Sequence, residues 1–186
     1  MSLQLITPPT EEPVTLADMK AHLRIVHDDE DDAIEAYARS ARRAVEARGG
    51  LALCAQVWRL TLDKWPQGIL TLPRAPVFSI DTVTVIDRDG IATSVDPALY
   101  DLQTGTLGRL IARGTWPHTA RLIGGVRVDF TAGWASPADT PEELKLAVKM
   151  LAAHFFENRE GAAADRIFST PQAVDALIAP YRQMRL

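Results

Sequence analysis

The chain has 186 residues, of which 47% are hydrophobic and 24% are charged, an ordinary composition for a globular protein. Its formal net charge is −4 at pH 7, and residues 1–50, 51–137 and 138–186 contribute −4, +1 and −1. A protein that coats nucleic acid needs a clustered basic surface, so this distribution argues against one. The single cysteine, Cys54, excludes an internal disulfide, and we expect neither a secretory signal nor a membrane span.

Residues 15–50 are predicted to form two helices. Thr15 and Asp18 have the spacing of an N-terminal cap and a carboxylate at the third helical position, which starts the first helix. The second helix follows an acidic run at residues 28–32 and stops at Gly49-Gly50, because glycine readily ends a helix. Its apolar stripe consists of Ile34, Tyr37, Ala38, Ala41 and Val45.

Two charged features of this segment each have two interpretations. The acidic run at 28–32 lacks the glycine that a calcium loop needs at its bend, so we favour a helix start, where carboxylates complement the helix dipole. Arg39, Arg42 and Arg43 could face phosphates. The acidic balance of the chain favours a solvated helix face or a protein contact instead.

Residues 56–135 are predicted to form strands. Trp58, Leu60 and Leu62 alternate with polar residues, which is the period of a half-buried strand. Turn residues separate the candidates; among them Gly90 is suited to a positive φ. The candidate strands are residues 58–62, 69–72, 80–86, 100–102, 107–111 and 126–130. We expect them to form a small antiparallel sheet.

The last segment is helical again. Thr140, Pro141 and Glu143 predict a capping residue, a proline in the first turn and a capping-box acid. Gly161 is expected to end this helix, and Thr170-Pro171 to start a short final one. The buried stripe of the longer helix is predicted to be Leu144, Ala147, Val148, Leu151 and Phe155.

The order of helices, strands and helices indicates an α+β fold. We expect a small helical bundle formed by residues 1–55 and 138–186. An antiparallel β region, residues 56–137, is inserted into it. The chain has no internal repeat and no low-complexity segment.

The sequence predicts no catalytic, cofactor or metal site. The histidines lie in different segments without other ligand residues at metal-site spacing; they are His22, His27, His118 and His154. Cys54 has apolar neighbours and no adjacent base, so we expect a small buried side chain rather than a nucleophile. The glycines match no phosphate-binding pattern, and the four tryptophans need only be core or interface anchors.

Motifs over most of the chain carry a family resemblance by their order and spacing. They are Pro13-Val14-Thr15-Leu16, Ala21-His22-Leu23-Arg24, the acidic run, Leu72-Pro73-Arg74-Ala75-Pro76-Val77, Phe130-Thr131-Ala132-Gly133-Trp134, His154-Phe155-Phe156-Glu157-Asn158-Arg159-Glu160 and Pro180-Tyr181-Arg182. In these segments the chain resembles the head–tail connector (adaptor) proteins of tailed phages and gene transfer agents, in the branch with a β-rich insertion.

The resemblance implies a structural, non-enzymatic subunit without cofactors. Its expected place is the head–tail junction of a virion, after synthesis in the cytoplasm of a bacterial host. Such subunits form a ring, usually of twelve copies, that docks beneath the portal protein, extends the DNA channel and contacts a tail-side connector or tail terminator. DNA passes through without sequence-specific binding, and no membrane is involved. A ring needs heterologous contacts between identical subunits, and the β insertion offers a second surface for them.

The resemblance also implies that the C-terminal segment, about residues 165–186, grips the portal. The residues expected to do so are Val174, Leu177, Ile178, Tyr181, Arg182, Met184 and Leu186. We expect removal of residues 171–186 to leave the fold largely intact and to abolish docking.

Two other functions remain open at this level. One is a tail-completion or tail-terminator protein of the virion. The other is a small nucleic-acid-binding regulator, which the acidic balance of the chain disfavours. An enzyme is the least expected class.

Overall fold

The structure is a computed structural model that describes residues 1–105, 107–158 and 172–182. The chain divides into two compact units. Met1–Thr10 and Cys54–Trp134 form one, here called the β unit. Glu11–Leu53 and the described residues from Ala135 onward form the other, the helical unit. The predicted α+β class is confirmed, with a helical bundle and an antiparallel β region.

The larger sheet of the β unit has five antiparallel strands in the order β1-β2-β8-β4-β5. Their bounds are β1 Ser2–Thr7, β2 Gln56–Leu62, β4 Val77–Ile86, β5 Ala92–Ser94 and β8 Val126–Ala132. In β8 the buried Val126, Val128 and Phe130 alternate with more exposed residues, as the sequence period requires. On the other face, Arg59 of β2 donates two hydrogen bonds of 2.7 Å to its cross-strand neighbour Asp129.

A second sheet contains three antiparallel strands in the order β3-β7-β6. They are β3 Ile69–Thr71, β6 Tyr100–Gln103 and β7 Arg109–Ala112. The sequence predicted one sheet, and this expectation is wrong. These strands of three or four residues pair only with one another, with Leu70 and Leu110 buried at the centre of the pairing between β3 and β7. The turn glycine Gly90 has φ +86°, as predicted.

The N-terminal strand β1 corrects the expected domain assignment of the first ten residues. The sequence pattern predicted that they belong with the helices, but Ser2–Thr7 pairs with β2 and forms an edge of the larger sheet. Only Leu3 and Leu5 alternate with more exposed neighbours, and Pro8 and Pro9 follow at once. So short a pattern does not identify a strand until its pairing partner is known.

The helical unit contains α1 Leu16–Leu23, α2 Asp31–Gly49, α3 Glu142–Glu157 and α4 Gln172–Ile178. The predicted capping box is present, since the Asp18 amide donates to Thr15 Oγ1 and the Thr15 amide donates to Asp18 Oδ2, each over 3.1 Å. Gly50 caps α2 with φ +69°. The predicted stripes are largely buried, while Tyr37 and Phe155 are half-buried.

Thr140 does not cap α3, contrary to the sequence prediction. Pro141 occupies the capping position and makes no side-chain hydrogen bond there. Thr140 is buried, and its hydroxyl donates to the carbonyl oxygen of Leu53 over 2.8 Å. The Thr140 hydroxyl therefore binds a carbonyl that is distant in the sequence instead of capping the helix. The predicted helix end at Gly161 and the start at Thr170-Pro171 lie outside the described residues.

Gly133 ends β8 at a close backbone approach. Its φ is +120°, and a Cβ at this position would lie 2.1 Å from the carbonyl oxygen of Cys54. Its amide donates to the carbonyl of Pro76 over 2.8 Å. Both the backbone conformation and the space at this position therefore require glycine.

We expect Gly133→Ala to lower the free energy of unfolding by at least about 3 kcal/mol, because backbone strain and a backbone clash add. Gly90→Ala is the matched control, since Gly90 has a positive φ but nothing within 4 Å of an added Cβ. It should cost only about 1–2 kcal/mol. Urea denaturation of both variants measures the difference, and equal losses would contradict the role of the Cys54 contact.

The capping box predicts a pH dependence. Hydrogen bonds from Thr15 hold the pKa of the Asp18 carboxyl below its ordinary value of 3.8. A lowered pKa in the folded state stabilises the fold above about pH 3.8 and ceases to do so as the pH falls through the lowered value. Asp18→Asn should therefore cost up to about 1 kcal/mol at pH 7, and the gap should close below about pH 3.8. In a Thr15→Ala background the same substitution should produce a smaller gap at pH 7, because the Thr15 hydroxyl is lost while the amide of residue 15 still donates to Asp18.

Candidate functional site

The described members of the expected portal-binding set are of two kinds, buried and accessible. Val174 and Ile178 are completely buried in the core of the helical unit. Leu177 and Tyr181 are half-buried, and Arg182 is exposed. Met184 and Leu186 lie outside the described residues. Contact with a partner in this conformation is therefore open to Leu177, Tyr181 and Arg182, whereas the two buried side chains anchor the segment.

Helix α4 and the turn after it are held mainly by that apolar anchor. Tyr181 donates a hydrogen bond of 3.1 Å to Glu143, and burial together with this carboxylate raises the pKa of the Tyr181 hydroxyl. Asp175 pairs with Arg48 at 3.4 Å and with Arg182 at 3.7 Å. Exposed pairs of this kind contribute at most about 1 kcal/mol, so burial is the larger effect. Removing residues 171–186 should thus destabilise the helical unit, contrary to the sequence-based expectation.

A groove on the helical unit, here called the acidic groove, has a volume of about 490 Å³. Its lining residues are Glu11, Glu12, Val14, Thr15, Leu16, Glu35, Ala38, Arg39 and Pro137. The buried Val14 and Ala38 contribute apolar surface, and three carboxylates stand against one guanidinium. The groove therefore combines apolar contact area with an acidic rim.

Arg42 lies beside this groove in a buried ion-pair network. Its guanidinium donates to Glu12 over 2.7 Å and to Glu46 over 2.9 Å. Glu46 in turn accepts a hydrogen bond of 2.9 Å from the Leu53 amide. Burial opposes the charge of Arg42, but the carboxylates outweigh it and raise the pKa of the guanidinium. Arg42 is thus a structural residue, and the arginine face proposed from the sequence retains only Arg39 and Arg43 as exposed members.

The β unit presents a second feature, the tip loop formed by residues 113–125. Trp116 of this loop stacks on Trp65 with ring centroids 4.0 Å apart and planes 6° apart. The Trp65 indole donates to the carbonyl of Pro117 over 3.0 Å. At the far side, the Gly124 amide donates to Asp63 over 2.9 Å. The sequence suggested no more than core or interface anchors for the tryptophans, and here two of them fix a loop.

Two large aliphatic residues are displayed at the end of this loop. Leu122 is 90% exposed and Ile123 is 77% exposed, and Arg121 and Arg88 lie beside them. Contiguous exposed apolar side chains on an anchored loop are typical of an interaction site. Spacing did not reveal this site, because Leu122 and Ile123 follow no strand or helix period.

The acidic run at 28–32 is confirmed as a helix start. α2 begins at Asp31, and the Lys20 ammonium pairs with Asp28 and Asp31. These hydrogen bonds raise the pKa of Lys20 and lower that of Asp28. Among the described residues, no group of three or more His, Cys, Asp or Glu side chains is placed to hold a metal ion.

The remaining residues considered for chemistry occupy unrelated positions. Cys54 is buried, as predicted. His154 lies near the end of α3, while His118 belongs to the tip loop. Within the described ranges, no helix is both long and apolar enough to cross a membrane.

Comparison with known proteins identifies the family. The family model described as "Head completion protein" matches residues 12–184. The chain belongs to the head completion protein family. The match covers both the helical unit and most of the β unit, so it concerns nearly the whole chain rather than one motif.

Solved structures of related proteins agree with this assignment. A chain in the neck of an empty gene transfer agent (GTA) particle, computed with C6 symmetry, is 34% identical, with a TM-score of 0.85. A chain in the virion of a native GTA particle is 32% identical with a TM-score of 0.84. A chain in the neck of a native GTA particle, computed with C12 symmetry, is 33% identical with a TM-score of 0.82. Each match covers all of this chain and 97% of the other; no curated protein matches.

The buried network gives a prediction for this head completion protein. Arg42→Met leaves Glu46 buried without its cation and should cost about 3–5 kcal/mol. Adding Glu46→Gln removes the stranded charge and retains an oxygen for the Leu53 amide, so the double variant should be more stable than Arg42→Met. Arg43→Met, at the exposed neighbouring position, should change stability by less than about 0.5 kcal/mol. Chemical denaturation of the three variants tests the order, and a double variant no more stable than Arg42→Met would contradict it.

Proposed function

We propose that this protein is a structural subunit of the head–tail junction, where copies of it form a ring that continues the DNA channel from the portal towards the tail. The observation that carries the proposal is the full-length similarity, at 34% identity, to a chain in the neck of a GTA particle. Membership of the head completion protein family supports the head side of the junction over the tail-completion alternative.

Twelve copies are the proposed ring size. A relative of 33% identity lies in a neck computed with C12 symmetry, which supports this number. The net charge of −4 suits a ring through which DNA slides, because a strongly basic lumen would hold the phosphate backbone. Sequence-specific DNA binding is not part of the proposed role.

The proposed role involves no catalysis. This part of the proposal rests on membership of the head completion protein family and on the place of the relatives in particle necks.

Portal binding is proposed for the accessible part of the C-terminal segment. Leu177, Tyr181 and Arg182 offer an apolar, an aromatic and a cationic side chain at the end of α4. Val174 and Ile178 support them from the core. Met184 and Leu186 continue the same segment of sequence and remain proposed contacts. A tail-side connector or tail terminator would occupy another surface of the ring.

Mixing the purified chain with its cognate portal tests this function. Size-exclusion chromatography with light scattering should show a complex that contains both proteins. Arg182→Glu, and separately the removal of residues 183–186, should each weaken portal binding about tenfold or more while the melting temperature stays close to that of the wild type.

Arg43→Glu is the matched control, because it reverses an exposed charge elsewhere on the helical unit. It should bind portal as the wild type does. A wild-type chain that forms no complex with portal and is absent from particle necks would overturn the proposed function. Full binding by both C-terminal variants would overturn only the assignment of this segment.

A further inference from the structure

The tip loop of the β unit and the acidic groove of the helical unit have complementary surfaces. The tip carries the exposed Leu122 and Ile123, with Arg88 and Arg121 beside them. A neighbouring depression that Arg121 and Leu122 also line contains Lys64 and Asp63, so the bases outnumber the acids around the tip. The groove carries apolar lining and three carboxylates, of which Glu12 pairs with Arg42 and Glu35 pairs with Arg39, leaving Glu11 as the carboxylate best placed for a partner. One surface is apolar and basic, and the other is apolar and acidic.

The tip loop is conformationally restrained, which favours its binding to a partner. Its loop is tied down on both sides of the exposed pair, by the Trp65–Trp116 stack on one side and by the Gly124–Asp63 hydrogen bond on the other. Thr119 also donates to the carbonyl of Ile86 over 3.2 Å. A loop held in this way loses little conformational entropy when it binds, which favours association.

We propose that the tip of one copy docks in the acidic groove of the next copy around the ring. Leu122 and Ile123 contact the apolar lining of the groove, and Arg121 and Arg88 face the carboxylates on its rim. This inference rests on the proposed function, because it concerns the contact between neighbouring subunits of the ring.

Three observations favour a second copy over a different protein as the occupant. A cyclic ring requires a heterologous contact, in which two different patches of the same chain meet. The two patches have opposite charge and belong to different units of the chain. A relative of 33% identity that aligns over this whole chain lies in a neck computed with C12 symmetry, which supports a cyclic arrangement of identical copies.

In the proposed contact, apolar residues contribute affinity and charged residues contribute orientation. Burial of two aliphatic side chains contributes to affinity in proportion to the area removed from water. The rim charges steer encounter and fix the register between copies. Exposed Glu11 is the rim carboxylate best suited to meet an arginine, because Glu12 pairs with Arg42 and Glu35 pairs with Arg39 at 3.1 Å.

The first test compares two equally exposed aliphatic positions in assembled particles. Leu122→Asp should lower the number of copies per portal in purified particles about tenfold or more, because a carboxylate is then placed against an acidic groove. Val26→Asp is the matched control, since Val26 is 94% exposed and does not line the groove. It should enter particles as the wild type does. Equal behaviour of the two variants would overturn the proposal.

The second test is a charge exchange. Arg121→Glu and Glu11→Arg should each reduce the number of copies per portal, and the variant with both changes should recover most of the loss, because opposite charges face each other again. Two deleterious single changes without recovery in the double variant would assign the tip to another partner, such as the tail-side protein, and would overturn the proposal.

The third test detects the contact itself. In a Cys54→Ala background, Leu122→Cys combined with Glu11→Cys should give, on oxidation of particles, a ladder of disulfide-linked multimers on a non-reducing gel. Leu122→Cys combined with Arg43→Cys, outside the groove, should give none. A chain that occupies the neck without the ladder would overturn the docking and leave the proposed function standing. A wild-type chain absent from the neck would instead overturn the proposed function.

Discussion

The helical unit depends on one buried interaction, the pairing of the Arg42 guanidinium with Glu46 and Glu12. A buried cation is tolerated only when its partners are close and well oriented, and here the two donor–acceptor distances are 2.9 Å and 2.7 Å. Glu12 lies just after the chain leaves the β unit, and Glu46 holds the amide of Leu53, just before the chain returns to it. Thr140 binds the carbonyl of the same residue. The network therefore fixes the places where the chain enters and leaves the helical bundle.

The two units hold their accessible surfaces in place by different interactions. The helical unit uses ion pairs and packed aliphatic side chains to hold a groove and the anchored helix α4. The β unit uses two short sheets and a tryptophan stack to hold an irregular loop with an exposed apolar end. In both units the regular elements are a scaffold, and the surfaces available to partners lie between or beyond them. A protein that works by assembly needs such surfaces.

Much of the scaffold was predictable from periodicity. The alternation at 58–62 and 126–130 predicted β2 and β8, and the stripe from Ile34 to Val45 predicted α2, because burial of one face imposes these periods on a sequence. Residues whose partners are distant were not predictable. The local pattern predicted a surface position for Arg42 and a helix cap for Thr140, because their partners Glu12 and Leu53 are distant in the chain.

By itself the sequence determined the α+β class, the main helices and strands and the absence of any recognisable catalytic motif. It also carried the resemblance to head–tail connector proteins, because these properties are encoded by local periods and by motif order. Only the tertiary structure decided that Val174 and Ile178 are buried in the core of the helical unit and that two tryptophans fix the tip loop. It also brought acidic and apolar residues from three segments into one groove. Those features depend on contacts between residues that are distant in the sequence, and a linear pattern of hydrophobicity carries no information about such contacts.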